Sequence, residues 1–126
     1  MGLDMYAYAT SRKIKEQIDF VSSDLDHEIQ YWRKNNALHG WMQRLYVNKG
    51  GSIDPSDFNC VNLKLCSDDL DQLEQDIQEG AMKPTSGFFF GEQNYSEDDK
   101  KTDIGFIRKA RMNIADGLTV YYTSWW

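Results

Sequence analysis

The side chains best suited to chemistry are gathered in one stretch, His27-Glu28-Ile29-Gln30-Tyr31-Trp32-Arg33-Lys34-Asn35-Asn36-Ala37-Leu38-His39-Gly40-Trp41. Arg33 offers a planar fork for phosphate or carboxylate, and Lys34 a compact point charge. His39 can move a proton near neutral pH, with Glu28 fixing one ring nitrogen. Tyr31 and Trp32 can cover a ring or exclude water. On a helical wheel, Glu28, Trp32, Asn35, His39 and Tyr46 fall between about 50° and 110° from the apolar centre, a mixed edge beside the buried stripe. Lys34 falls on the apolar side, where it must snorkel, pair with a carboxylate or face a cavity. Together these residues read as a site for an anionic small molecule, a nucleotide or a sugar phosphate, with Tyr121 or Tyr122 as its far wall. His39 and Glu28 are the candidate acid–base pair. A plainer reading uses the same residues as the flank of a core, with Arg33 solvated and His39 bonded to nearby backbone.

Other chemistries lack their residues. Gly87-Phe88-Phe89-Phe90-Gly91 has neither the GxGxxG nor the GxxxxGK[ST] spacing of a phosphate loop, and reads as core. Ser86 and Ser124 have no GxSxG context. Two histidines cannot build a His-rich metal centre, and the acidic clusters 68–71 and 97–99 suit first helical turns and lack the EF-hand spacing. No metal or cofactor is expected. Cys60 and Cys66 bracket an extended segment that would hold them roughly 20 Å apart, too far for a disulfide. Both are expected to be reduced, buried thiols.

The elements that must position these groups follow from periodicity. Residues 2–10 alternate Leu3, Met5 and Ala7 against Asp4, Tyr6 and Tyr8, the period of a strand. Residues 11–26 fit neither template. Over residues 28–47, Tyr31, Leu38, Met42 and Leu45 lie within about 60° of one another, which predicts a helix, broken at Asn35-Asn36 and stopped by Lys49-Gly50-Gly51. Residues 58–65 read as a strand. Ser67 caps a helix with the stripe Leu70, Leu73, Ile77, ended by Gly80. Ser96 or Thr102 starts the last helix, with Ile104, Ile107, Ala110 or Arg111, and Ile114 inside and Gly117 at its end. Residues 118–126, LTVYYTSWW, return as a strand expected beside the first. Strands and helices do not alternate through glycine-rich turns. The expected fold class is therefore α+β, one domain over residues 1–126, with a mixed or antiparallel sheet of about three to four strands packed by about three helices.

A chain of 126 residues suits one domain, and 40% hydrophobic residues supply a core. A net charge of −6 opposes broad nucleic-acid binding, which needs clustered Lys and Arg. There is no signal-peptide pattern and no apolar run of membrane-spanning length. Met1-Gly2 is not followed by the Ser or Thr at position 6 of a myristoylation start. A soluble cytoplasmic protein without nucleic-acid or membrane partners is expected. The C-terminal aromatics must dock or form a dimer interface, which leaves monomer or homodimer open.

MGLDMY (1–6), EIQYWRK (28–34), LHGWMQRLY (38–46), FNC (58–60), TSGFFFG (85–91) and VYYTSWW (120–126) together resemble an uncharacterised family of small bacterial and tailed-phage proteins. The resemblance implies a bacterial or host-cell cytoplasm and supplies no activity. The label phosphoglycerate kinase carried by some members does not fit, because that two-domain enzyme needs about three times this length. Three functions follow as expectations. The first is an accessory protein binding an anionic small molecule beside the helix of residues 31–41. The second is a host-takeover or anti-defence protein that binds a host protein through its acidic or aromatic surface. The third is a small hydrolase or transferase with His39 as general base. Convergence of Arg33, Lys34 and His39 favours the first or third; a flat aromatic patch over about 400 Å² favours the second.

Overall fold

The computed structural model describes residues 2–82 and 95–126. Among these residues the element order is β1 (Asp4–Thr10), β2 (His27–Arg33), α1 (Asn36–Asn48), β3 (Leu63–Leu65), α2 (Ser67–Gln78), α3 (Glu97–Ala115) and β4 (Thr119–Trp125), with a 3₁₀ turn at Pro55–Asp57. The strands form one antiparallel sheet in the order β2-β1-β4-β3. Over the described residues this is a small α+β domain of four strands and three helices, as the residue patterns predict. The aromatic run Phe88-Phe89-Phe90 lies outside the described residues.

β1 and β4 pair along their whole length, from Asp4 opposite Trp125 to Thr10 opposite Thr119. Successive side chains of a strand point to opposite faces. Met5, Ala7 and Ala9 therefore share one face with Val120, Tyr122 and Ser124, while Tyr6 and Tyr8 share the other with Tyr121 and Thr123. The first face carries the core. Leu38, Trp41 and Met42 of α1, Leu70, Leu73 and Ile77 of α2, and Phe106, Ile107 and Ala110 of α3 join it in one buried cluster. Trp41 Nε1 donates to Asp76 Oδ2 (2.8 Å), tying α1 to α2, and Arg111 pairs with Asp71 and Glu74 to tie α3 to α2.

Three sequence expectations are corrected. The helix predicted from residue 28 begins only at Asn36, and His27–Arg33 is the strand β2. A bulge between Ala7 and Tyr8 of the β1–β2 ladder sets two residues of β2, Glu28 and Ile29, against one step of β1. That extra residue breaks the period of two and lets the segment pass for part of a helix. Lys34 then turns the chain at φ +58°, and Asn35 caps α1 by accepting from Leu38 N. The strand expected over residues 58–65 is paired only at Leu63–Leu65. Cys60 instead adopts φ +60° and donates its N–H to the Ser124 carbonyl at 2.8 Å. The thiols, expected to be buried, are free, with Cys60 exposed and Cys66 half-buried.

Residues 11–26, unassigned from sequence, wrap the β3 edge. Asp19 N donates to Asn62 O and Lys64 N to Gln17 O, with a bridge between Ile18 and Leu63. The segment then crosses the outer face, where Phe20 meets Tyr121 edge-on at 5.1 Å. Asp26 locks it. Its carboxylate takes Arg12 Nη2 and Tyr121 Oη, each at 2.6 Å, and the Ser23 N–H at 3.0 Å.

Candidate functional site

The alternation of β2 and β4 divides the expected site residues between the two sheet faces. Trp32 stands opposite Met5 and points into the core; Tyr31, Glu28 and Arg33 stand opposite Tyr6, Tyr8 and Asp4 on the outer face. Tyr122 is inward and its neighbour Tyr121 outward. Lys34 lies in the β2–α1 turn, where its N–H donates to Leu3 O. The structure thus brings His39, Trp32 and Tyr122 together inside, and Tyr31 and Glu28 together outside. Arg33, Lys34 and His39 do not converge on one concavity, because they belong to an outward strand position, a turn and a buried helix face.

Inside, His39 is 2% exposed on α1, with its ring 5.0 Å from that of Phe58 and 6.1 Å from that of Tyr122. Burial holds its pKa down to about 3, so the ring is neutral at pH 7. Its Nδ1 lies 2.7 Å from Tyr122 Oη. Burial raises the Tyr122 pKa far above that of free tyrosine, against the smaller opposing effect of its bond with Ser124. The phenol therefore keeps its proton, and the pair shares a hydrogen bond between two neutral groups whose direction is set by the histidine tautomer. A ring this buried and this weakly basic is poorly suited to general-base work at neutral pH.

A second polar centre inside went unremarked in the sequence. Asp103 of α3 is completely buried and accepts from Trp32 Nε1 (2.9 Å), from Asn35 Nδ2 (3.1 Å to each oxygen) and from Tyr95 Oη (2.5 Å). Burial raises its pKa to about 6, and these three hydrogen bonds oppose the rise without cancelling it. The signal was present: Asp103, Phe106, Ile107 and Ala110 have the i, i+3, i+4, i+7 spacing of a buried helical stripe. Asp103 replaces the apolar residue such a stripe calls for. Trp32, expected in a ligand site, is one of its hydrogen-bond donors.

Outside, the rings form a continuous rank. Tyr6 lies 5.3 Å from Tyr31 and 6.1 Å from Tyr8, and Tyr8 stacks on Tyr121 at 5.5 Å. Tyr31 Oη donates to Asp4 Oδ1 at 2.6 Å. Beside Tyr6 and Tyr8 runs an open groove of about 380 Å³, walled opposite by Phe20, Val21, Cys60 and Trp125. Val21 is 79% exposed, Trp125 66% and Tyr31 44%. The sequence alternation marks Tyr6 and Tyr8 only as the polar half of a strand. Their use as a surface follows from all three helices packing on the opposite face, which periodicity within one strand cannot reveal.

Among the described residues no group of His, Cys, Asp and Glu is placed to hold a metal ion, and no helix is long and apolar enough to cross a membrane. Compared with protein-family models, curated proteins and solved structures, the chain matches none.

Proposed function

We propose that the protein is a binding module that docks a protein partner on the outer face of its sheet. The observation that carries this reading is the rank Tyr31, Tyr6 and Tyr8 with Trp125 across the groove, on the face that the helices leave uncovered. Aromatic side chains are enriched at the centres of protein interfaces, where they bury much area at small entropic cost. The edges of the sheet are poorer docking points. Residues 17–19 already pair with β3, and β2 carries both a bulge and the Lys109 ammonium, which lies 3.4 Å from Ile29 O. Bulges and edge lysines are devices that discourage the addition of another strand. Partner docking through an aromatic surface is therefore better supported than an anion site, whose cations are dispersed, or a hydrolase centred on His39.

Native mass spectrometry of the chain recovered from its source cells tests the reading. A protein partner should be retained by the wild type and lost when Trp125→Ser and Tyr6→Ser are introduced together. Retention of a small metabolite indifferent to both substitutions, with no protein partner, would overturn it.

A further inference from the structure

We propose that the outer face seats a cationic side chain, a guanidinium or an ammonium, carried by the docking segment of the partner; the inference rests on the reading of that face as a binding surface. Tyr6 is the centre of the seat. Its ring centroid lies 5.3 Å from that of Tyr31 and 6.1 Å from that of Tyr8, so three aromatic rings border one patch. Two carboxylates close its ends. Asp4 lies beside Tyr31, accepting its hydroxyl proton with one oxygen and retaining acceptor sites on the other. Exposed Glu28 stands opposite Tyr8 in the ladder. In the ladder Asp4 precedes Tyr6 by two residues and Glu28 stands opposite Tyr8, one on either side of Tyr6, and after the larger effect of burial both charges raise the Tyr6 pKa.

A cation over tyrosine faces is attracted by the ring quadrupole, and flanking carboxylates add a direct charge partner. A phosphate or carboxylate ligand would instead meet two like charges. Of the nearby cations, Arg12 is held by Asp26, while Arg33 stands opposite Asp4 with its guanidinium near Gly2 and makes no ion pair among the described residues, so Asp4 keeps its charge for a ligand. The adjoining groove toward Val21 and Trp125 can take the apolar stem and the neighbouring residues of such a segment. The net charge of −6 favours encounter with a basic partner.

The test titrates the whole protein with a capped Gly-Arg-Gly-Arg-Gly peptide, its lysine counterpart and its citrulline counterpart, following the ring proton shifts of Tyr6, Tyr8 and Tyr31. The arginine or lysine peptide should bind saturably and move these rings. The isosteric but uncharged citrulline peptide should bind about tenfold or more weakly. Glu28→Gln should weaken the charged peptide about two- to fivefold and flatten its salt dependence. Equal binding of the charged and citrulline peptides, or shifts confined to other residues, would overturn the cation seat. So would the absence of saturable binding by all three. None of these results touches the broader reading, which is judged separately by whether a protein partner is retained and then lost with Trp125→Ser and Tyr6→Ser.

Discussion

Asp103 and His39 are buried ionisable groups on the same side of the sheet, and burial shifts their pKa values in ways that oppose each other in stability. Asp103 is raised from 3.8 to about 6, so between these values the folded state holds a proton that the unfolded state has released. Its contribution is full below pH 3.8 and is lost as pH rises through 6, by about 1.4 kcal/mol per unit. His39 is lowered from 6.5 to about 3, so the unfolded state takes up the proton first. Its contribution is full above pH 6.5 and is lost as pH falls toward 3, with the same slope and opposite sign. Between about pH 4 and pH 6 the two slopes cancel. Asp103→Asn, which keeps an oxygen for Trp32 Nε1, should therefore become more acid-labile than the wild type across that window. His39→Gln, whose amide oxygen can accept the Tyr122 proton, should instead gain stability on acidification across it. Urea unfolding of the three proteins at half-unit pH steps reads both slopes directly. Parallel profiles for all three would mean that neither group carries its proton as assigned.

At the scale of elements, the segment 11–26 is tied to the outer face by the Asn62 side chain at Phe20 and Ser22 and by a buried carboxylate, Asp26, at its end. Burial by itself would raise the Asp26 pKa, but hydrogen bonds from Arg12, Thr10, Tyr121 and the Ser23 backbone hold it far below the usual carboxylate range. Asp26→Asn removes the charge that organises these donors and should cost about 2–3 kcal/mol, the scale of a charge-assisted hydrogen bond lost at a buried position. Amide exchange should accelerate mainly in residues 11–26, with β1 and α1 little changed; uniform acceleration through the molecule would show that the segment is part of the global folding unit. This element also marks the limit of what was legible in the sequence. Where a period ran undisturbed it sufficed: Leu3, Met5 and Ala7 gave β1, Leu70, Leu73 and Ile77 gave α2, and the aromatic alternation of residues 118–126 gave β4 and its place beside β1. Residues 11–26 have no period because non-local partners hold them, Asn62, Lys64 and Tyr121. β2 lacks a strand's signature because its bulge disturbs the alternation and because Asn35-Asn36, a boundary between a strand and a helix, looks the same as a break within one helix. Once β2 became a strand, residues that a helical wheel had grouped on one edge parted to opposite faces of the sheet, and the expected site parted with them.

The whole molecule divides its labour between those faces, and the C-terminus shows the division in two adjacent residues. Trp126 is fastened. Its Nε1 donates to Phe58 O at 3.0 Å, its N–H to Asn59 Oδ1 at 3.0 Å, and its carbonyl accepts from Asn59 Nδ2 at 2.9 Å, while its ring packs against the core. Trp125 stands on the outer face opposite Asp4 and lines the groove. Same residue type and neighbouring position thus predict unequal outcomes. Trp126→Ala should cost about 2–4 kcal/mol, somewhat below the usual figure for a fully buried tryptophan because the ring is only partly enclosed. Trp125→Ser removes a ring already largely in water and should change stability by less than about 1 kcal/mol. Thermal melts of the two variants measure this before any partner is known. An exposed indole that contributes little to folding is free to serve recognition, and the unequal result leaves the outer face available for it. If Trp125→Ser destabilised the protein as much as Trp126→Ala, the outer rings would be part of what holds the fold together. The docking surface would then lose the separation from the core on which its assignment depends.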